Sequence, residues 1–283
     1  LFSCIRCFFI IPNKATVNKT LQNIVKIISL NLNGIRAAFK KGFLKWLSRQ
    51  KADVVCLQET KAQVCDLSDE ILNPPNWYSY FSEAQKKGYS GVAIYSRVKP
   101  QFVEYSFGFK EADDEGRFLL ANFGALSLVS VYFPSGSSGE VRQSAKFRFL
   151  KKFGVWLSKC KKNEVSLVVC GDWNIAHKKE DLKNWRSNQK NSGFLPEERA
   201  WLDWALENCG LNDAFRLVNS RTDQFTWWSN RGRAWENNVG WRIDYQMVTK
   251  DLADLVEKAT IYKKSRFSDH APLSITYKYS LKN

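Results

Sequence analysis

Short apolar runs alternate with longer amphipathic stretches through most of this chain. The short runs are rich in β-branched and aromatic residues and are bounded by Gly, Pro, Asn or Asp, which predicts β-strands. They cover residues 25–31, 53–58, 91–97, 117–123, 126–133, 165–170, 242–249 and 273–279. Residues 39–50, 140–162 and 196–209 carry apolar side chains at helical spacing and predict helices that cover a sheet. Pro196 suits the first turn of the last helix, and Gly210 suits a left-handed cap after it.

The order of these elements predicts an α/β fold. The runs 117–123 and 126–133 are separated by two residues and indicate an antiparallel hairpin, whereas the intervening helices imply crossovers. Both are accommodated by a four-layered α/β sandwich, in which two mixed β-sheets pack face to face with helices outside. No repeat or linker divides the chain, so we expect a single domain over residues 24–283. Residues 1–23 do not match this pattern and are expected to form an N-terminal extension outside the fold.

The charge of the chain suggests a polyanionic partner. The formal net charge is +15 and the hydrophobic content is 44%, as expected of a basic globular protein that binds nucleic acid, an acidic membrane surface or an acidic protein. Seven cysteines, an odd number, favour a reducing compartment, and Cys56 and Cys170 lie inside apolar runs where a thiol packs as a small hydrophobe. Cys4 and Cys7 lack the further ligands of a zinc site.

Carboxylates and amides follow several of the predicted strands. Glu59 and Asp172 occupy such positions, and Asp269 precedes the run 273–279. His270, one of two histidines, directly follows Asp269. Such groups could hold a hard cation and activate water for phosphodiester hydrolysis. Taken singly, each has a simpler interpretation: a solvated acid, an Asx turn or a structural histidine. The other histidine, His177, is expected to be structural.

Eight short motifs, in this order, make the chain resemble the exonuclease III family of AP endonucleases, within the endonuclease/exonuclease/phosphatase superfamily. The similarity extends over residues 24–278 and is greatest to bacterial members. The motifs are Asn31-Leu-Asn-Gly34, Leu57-Gln-Glu-Thr60, Gly91-Val-Ala-Ile94, Tyr132-Phe-Pro134, Gly171-Asp-Trp-Asn174, Gly193-Phe-Leu-Pro-Glu-Glu-Arg199, Gly240-Trp-Arg-Ile-Asp244 and Ser268-Asp-His270.

The resemblance implies a role for each matching residue. Metal binding is implied for Glu59, Asn33 and Asp269, with Mg²⁺ as the cofactor and Mn²⁺ as a substitute. Asn33 stands where some relatives have an aspartate. The implied catalytic residues are Asp172 as base or acid, Asn174 and Asn31 as orienting groups, Asp244 as the partner of His270, and Tyr132 against the phosphate or leaving oxygen.

The resemblance also implies a set of DNA contacts. Backbone contacts are implied for Asn184, Asn188 and Asn191, and an apolar pocket for a base-free sugar is implied for Trp227, Trp241 and Ile243. Arg36, Lys40 and Lys41, with Lys146 farther along, are further candidates for phosphate contacts. The loop at residues 135–139 lacks the arginine that some relatives insert into the duplex.

The implied activity is a Mg²⁺-dependent phosphodiester hydrolase of base excision repair. It would cut double-stranded DNA 5′ to abasic sites and remove 3′ blocking groups, and the resemblance also allows 3′ to 5′ exonuclease activity. We expect a monomer in the bacterial cytoplasm, associated with the nucleoid through DNA and not with a membrane. The alternatives are a phosphatase or phospholipid diesterase on the same scaffold, and a DNA-binding module without catalysis.

Overall fold

The computed structural model describes residues 24–281, so the predicted extension over residues 1–23 and the Cys4/Cys7 pair lie outside the described residues. The strands are β1 (Val25–Asn31), β2 (Val54–Gln58), β3 (Tyr78–Ser82), β4 (Val92–Ser96), β5 (Phe102–Glu104), β6 (Phe118–Asn122), β7 (Leu126–Tyr132), β8 (Ser166–Asp172), β9 (Leu211–Asp213), β10 (Trp227–Trp228), β11 (Gly240–Trp241), β12 (Asp244–Thr249), β13 (Val256–Ile261) and β14 (Leu273–Tyr277).

Helices connect many of these strands. They are α1 (Ile35–Lys40), α2 (Phe43–Leu47), α3 (Asp69–Leu72), α4 (Lys110–Asp114), α5 (Glu140–Lys162), α6 (Trp185–Asn188), α7 (Pro196–Cys209), α8 (Ala214–Val218) and α9 (Lys250–Ala253), with 3₁₀ turns at Val64–Asp66 and Lys179–Asp181. None of the described helices is long and apolar enough to cross a membrane.

Two six-stranded mixed sheets form the centre of the fold, as predicted. Their strand orders are β13-β14-β1-β2-β4-β3 and β5-β6-β7-β8-β12-β9, and β10 pairs with β11 in a separate ribbon. Each predicted strand is present with its ends displaced by at most two residues, and β6 and β7 form the predicted antiparallel hairpin. The strands that the hydrophobic pattern missed in these sheets, β3, β5, β9 and β13, are the four edge strands. An edge strand is less buried, so its sequence carries a weaker apolar signal.

The predicted helix over residues 39–50 is wrong in its bounds. The chain forms two short helices there, α1 and α2, because Gly42 adopts a left-handed conformation with φ 85° between them. The predictions for α5 and α7 are confirmed, and Gly210 caps α7 in the left-handed region with φ 67°.

Side chains from the facing sheets form the central core. Cys56 of β2 and Cys170 of β8 lie within it as free, fully buried thiols, as their sequence context predicted. Phe153 of α5 and Leu202 of α7 pack on the outer face of the second sheet, and α1 and α2 contribute to the cluster on the outer face of the first. The four-layered α/β sandwich is thereby confirmed.

The topology brings many strand ends to one end of the sandwich. β1 and β2 run parallel and finish side by side, and β7 and β8 do the same in the other sheet, where Tyr132 pairs with Asp172. β12 runs antiparallel to β8, so it begins with Asp244 opposite Asp172. Polar residues that are far apart in the sequence therefore meet at this end.

Candidate active site

A buried carboxylate, Asp172, lies at the centre of this end of the molecule. The Asn31 amide donates to Asp172 Oδ2 at 2.9 Å and to Glu59 Oε1 at 2.8 Å. Asn31 thus connects the carboxylates that follow β8 in one sheet and β2 in the other. The backbone NH of Asn174 donates to Asp172 Oδ1 at 2.9 Å, and the Asn174 side-chain amide donates to the Phe133 carbonyl.

His270 lies between two carboxylates. Its Nδ1 is 2.8 Å from Asp244 Oδ2, and its Nε2 is 3.9 Å from Asp172 Oδ2. Backbone contacts position both partners: the Asp244 NH donates to Thr226 Oγ1, and His270 forms an isolated β-bridge with Trp227. All three members of this triad are almost fully buried.

Burial and neighbouring charges shift the titration of this triad. Burial, with the nearby Asp244 and Glu59 charges, raises the pKa of Asp172 to about 7 even though His270 acts in the opposite direction. Burial alone would lower the pKa of His270, but the charge and hydrogen bond of Asp244 raise it to about 10. At neutral pH the imidazole is therefore protonated, and Asp172 can exchange a proton.

A second group of oxygen atoms lies beside the triad. The Asn33 amide donates to Asp269 Oδ1 at 3.0 Å. Lys61 Nζ lies 2.6 Å from Asn33 Oδ1 and 2.6 Å from Glu59 Oε2. Although burial alone would raise the pKa of Glu59, the charge of Lys61 and the Asn31 hydrogen bond keep it below its ordinary value. The three residues predicted to bind metal are therefore brought together, and the oxygens of Glu59 and Asn33 face the Lys61 charge.

Two sets of side chains could hold a cation. Asp172, Asp244 and His270 offer ligand atoms within 4.8 Å of one another. However, a protonated imidazole has no lone pair to donate to a metal. Glu59, Asn33 and Asp269 supply only oxygen, the ligand atom that Mg²⁺ prefers. The donor chemistry therefore fits a hard divalent cation at the second set.

Lys61 is a site residue that the sequence interpretation missed. It follows Glu59 by two residues, and both adopt left-handed backbone conformations, with φ 50° at Glu59 and 48° at Lys61. The available signal was the lysine directly after the Gln-Glu-Thr motif, but one lysine among 43 basic residues does not stand out.

Tyr132, the last residue of β7, lies beside Glu59. Its hydroxyl hydrogen-bonds to Glu59, and burial together with the Glu59 charge raises its pKa well above the usual value. The buried Arg117 guanidinium lies 4.6 Å from the Tyr132 ring and donates to the Tyr132 carbonyl. Tyr132 is therefore a neutral, firmly held hydrogen-bond donor.

The Asx turns that the two polar strings suggested are present. Asn31 Oδ1 accepts from the Asn33 NH at 2.9 Å, and Asp172 Oδ1 accepts in the same way from Asn174. Each turn leaves the other atoms of its side chain free to contact the opposite sheet. The local turn is thus the means by which each polar group is oriented toward the site.

The three residues predicted to form an apolar pocket lie together next to the oxygen cluster. Trp227 and Trp241 meet edge to face with ring centroids 6.4 Å apart, and both pack against the group that contains Ile243. Trp227 Nε1 donates to Asp269 Oδ2 at 3.0 Å. This bond joins one wall of the pocket to a predicted metal ligand.

The predicted backbone contacts occupy exposed or half-buried positions. The Asn188 amide donates to the Asn184 carbonyl at 2.9 Å, and the Asn191 amide donates to Asn188 Oδ1 at 2.8 Å, so the three asparagines form one polar loop. Arg36 and Lys41 are exposed on and just after α1, which begins beyond Asn33. All are available to a ligand.

Lys146 is not available, and the prediction that it contacts phosphate is wrong. Its side chain is fully buried, with Nζ 2.6 Å from Glu198 Oε1 and 2.7 Å from the Asn174 carbonyl. Lys146 instead holds the backbone of Asn174, a residue that contacts Asp172. His177 is structural as expected, since it bonds to Asp203 of α7 at 2.7 Å.

Comparison with known proteins agrees with this geometry. The family described as Endonuclease/Exonuclease/phosphatase matches residues 28–270. The chain belongs to this family. An exodeoxyribonuclease of Bacillus subtilis is 36% identical over 89% of this chain and 98% of its own length, and the DNA repair nuclease APEX1 of Danio rerio is 36% identical over 93% and 86%. A solved AP endonuclease from Archaeoglobus fulgidus superposes with a TM-score of 0.82 at 27% identity over 89% of this chain and 99% of that one.

These relatives confirm the predicted family and fold. They also bear out the predicted class of enzyme, a hydrolase of nuclease type. Relatives at the same identity come from a bacterium and a vertebrate, so the similarity extends widely across the family.

Proposed function

We propose that this chain is a DNA-repair nuclease that depends on a divalent cation, with Mg²⁺ as the working ion. It cleaves the phosphodiester 5′ to an abasic site in duplex DNA, removes 3′ blocking groups and can degrade intact 3′ ends. The observation that carries the proposal is the contact between the Asp172–His270–Asp244 triad and the oxygen cluster of Glu59, Asn33 and Asp269 through Asn31.

The triad supplies the proton transfers. Because the pKa of Asp172 is about 7, its carboxylate can accept a proton from an attacking water near neutral pH. Asn174 and Asn31 donate to this carboxylate and hold it in one orientation. His270 remains an imidazolium because Asp244 stabilises its charge, so it can stabilise the oxygens of a phosphate that gain charge during hydrolysis.

A cation at Glu59, Asn33 and Asp269 would polarise the phosphate and draw charge from its oxygens. Glu59 and Asp269 would hold it through their carboxylates, and Asn33 would do so through its amide oxygen. Tyr132 stays neutral at working pH and can donate a hydrogen bond toward a phosphate or leaving oxygen. Lys61 keeps a compensating charge beside the Glu59 carboxylate.

The substrate is inferred from the surface around this chemistry. The net charge of +15 favours a polyanion, and the loop of Asn184, Asn188 and Asn191 offers polar contacts to a backbone. The edge-to-face pair of Trp227 and Trp241 beside Asp269 would accept a flipped sugar without a base. The relatives named above, an exodeoxyribonuclease and a DNA repair nuclease, support DNA as the substrate.

The test compares three substrates: a duplex with one abasic analogue, an intact recessed 3′ end and a small phosphomonoester. We expect Mg²⁺-dependent incision of the abasic duplex as the fastest reaction. Asp172→Asn should reduce kcat by about 10²-fold to 10⁴-fold, the usual contribution of general acid–base catalysis, while DNA binding stays near normal. A preference for the small phosphomonoester would favour the phosphatase alternative instead.

His177→Ala is the matched control for His270→Ala. His177 is also buried and carboxylate-bonded, but its partner Asp203 belongs to α7. We expect a large loss of rate for His270→Ala only. Equal losses in both variants would contradict the role given to His270, and binding of DNA without any incision would favour the noncatalytic alternative.

A further inference from the structure

A buried ion cluster lies behind the apolar pocket and has no part in the chemistry described above. Asp181, at the end of a 3₁₀ turn, is 1% exposed. Its Oδ1 accepts from Arg242 Nε at 2.8 Å and from Arg216 Nη2 at 2.6 Å. Its Oδ2 accepts from Arg242 Nη2 at 3.0 Å, which makes the Arg242 contact bidentate, and from the Lys178 NH at 3.1 Å. Bidentate contacts of this kind are strong and geometrically specific.

Arg242 is held from a second direction as well. Its Nη1 forms an ion pair with Asp213 Oδ2 at 2.7 Å. Asp213 also caps the start of α8, the helix that carries Arg216. The cluster therefore connects three segments of chain around a single guanidinium that is 1% exposed.

Arg242 connects this ion cluster to the apolar pocket. Arg242 lies directly between Trp241 and Ile243, two residues of the apolar pocket. Its backbone NH donates to the Asp181 carbonyl at 2.6 Å. Arg242 is therefore bonded to Asp181 through both its guanidinium and its backbone NH. These bonds restrict the movement of Trp241 and Ile243 on either side of it.

The residue after Asp181 also contacts the predicted pocket. Leu182 is buried in the cluster that contains Ile243 and forms a β-bridge with Trp241. Lys183 donates its NH to the Gly240 carbonyl at 3.0 Å, and Asn184 follows in a left-handed conformation with φ 54°. Asp181 is thus connected to Trp241, Ile243, Leu182 and the start of the asparagine loop, while Trp227 is bonded to Asp269.

We propose that Asp181 is a positioning residue that sets the width of the pocket and thereby the preference for a base-free sugar over an intact nucleotide. The inference rests on the proposed function, in which this pocket receives the flipped sugar. Asp181 contacts no reacting atom. It acts through Arg242 on Trp241 and Ile243, and directly through the chain on Leu182.

The test is the ratio of kcat/KM for an abasic duplex to kcat/KM for an intact recessed 3′ end. Asp181→Asn keeps the volume of the side chain but removes its charge and one acceptor, which loosens the clamp. We expect this ratio to fall by about tenfold to a hundredfold, in line with the effect of a misplacement near 1 Å. A merely structural role would lower both reactions together and leave the ratio unchanged.

Two further variants keep the proposal falsifiable. Arg216→Gln removes one bond to Asp181 from a partly exposed side chain. It should lower the same kcat/KM ratio by a smaller factor. If Asp181→Asn does not fold, Arg216→Gln tests the proposal instead. Asp223→Asn is the control, because this exposed carboxylate pairs only with Lys183 of the same loop among the ion pairs of residues 24–281. Its ratio should match that of the wild type.

The outcomes separate this inference from the proposed function. If the wild type incises the abasic duplex but Asp181→Asn and Arg216→Gln keep ratios within about twofold of it, only the inference fails, since displacement should cost far more. If the wild type does not incise abasic DNA at all, the proposed function fails and the inference falls with it. A shifted ratio with a normal control supports both.

Discussion

Replacement of Lys146 by methionine should destabilise the protein strongly, although Lys146 lies on a helix of a highly basic chain. The substitution keeps an unbranched side chain of similar length but removes the ammonium group. Glu198, fully buried at 2.6 Å from that ammonium, would then hold an uncompensated charge. Burial already lowers the pKa of Lys146, and the Glu198 charge and hydrogen bond limit this shift.

The size of the expected loss of stability depends on the hydrogen bonds that Glu198 retains. Removal of one partner from a buried ion pair costs about 3–5 kcal/mol. The Glu198 carboxylate still accepts from the Gly193 NH at 2.6 Å, the Leu195 NH at 3.1 Å and the Gln143 amide at 3.0 Å. These donors place the loss near the lower limit, about 3 kcal/mol. At about 2–4 °C per kcal/mol for a protein of this size, Tm should fall by about 6–12 °C.

The assay is guanidinium unfolding followed by tryptophan fluorescence, with Tm from circular dichroism. Lys151→Met, at an exposed position of the same helix, is the control and should change stability by less than about 0.5 kcal/mol. The double variant Lys146→Met/Glu198→Gln removes both charges and should be more stable than Lys146→Met by about 1–2 kcal/mol. A loss below about 1 kcal/mol for Lys146→Met would refute the reasoning, since it would mean that the pair is solvated.

Three further predictions concern the strand ends and the ion cluster. Gly171→Ala should destabilise the protein by at least about 1–3 kcal/mol in thermal unfolding, because an added Cβ would lie 2.0 Å from the Val131 carbonyl oxygen of β7; a neutral result would mean that the strands separate easily. Mg²⁺ at about 100 times its Kd should stabilise the wild type by about 2.7 kcal/mol and Glu59→Gln far less, whereas an equal rise in Tm for both would place the ion elsewhere. Asp181 has a pKa below the ordinary 3.8 because the charges of Arg242 and Arg216 outweigh burial, so its contribution is complete above pH 3.8 and is lost as pH falls through its folded pKa. Asp181→Asn should therefore lose less stability than the wild type between about pH 4 and pH 2 in acid unfolding monitored by circular dichroism, and parallel curves would contradict this.

The predictions from hydrophobic pattern succeeded where burial is strongest. Central strands such as β1, β7 and β8 are buried along most of their length, so their sequences are mostly apolar and bounded by turn residues. The edge strand β13 is mostly exposed or half-buried and has no comparable run. The break between α1 and α2 depends on the left-handed Gly42, a local feature that apolar periodicity does not report.

The motif residues were identifiable because they are polar side chains at or near the ends of strands. Their roles could be inferred only from resemblance to a family. The error at Lys146 has a physical cause: a lysine within a basic helix looks like part of a charged face, and its partner Glu198 lies 52 positions away in the sequence. Lys61 was overlooked for the complementary reason, since nothing local distinguishes it from other surface lysines.

The sequence by itself determined the elements, the layered α/β architecture and the polar groups at the strand ends, because these depend on local periodicity, turn chemistry and short motifs. Tertiary structure alone decided which polar and charged groups interact with one another. Asn31 meets Asp172 across 141 positions, and Asp244 meets His270 from another strand, because parallel and antiparallel pairing brings their ends together. Electrostatic interaction depends on distance and burial, so the pKa values of Asp172 and His270, and the burial of Lys146 and Asp181, exist only in the folded chain.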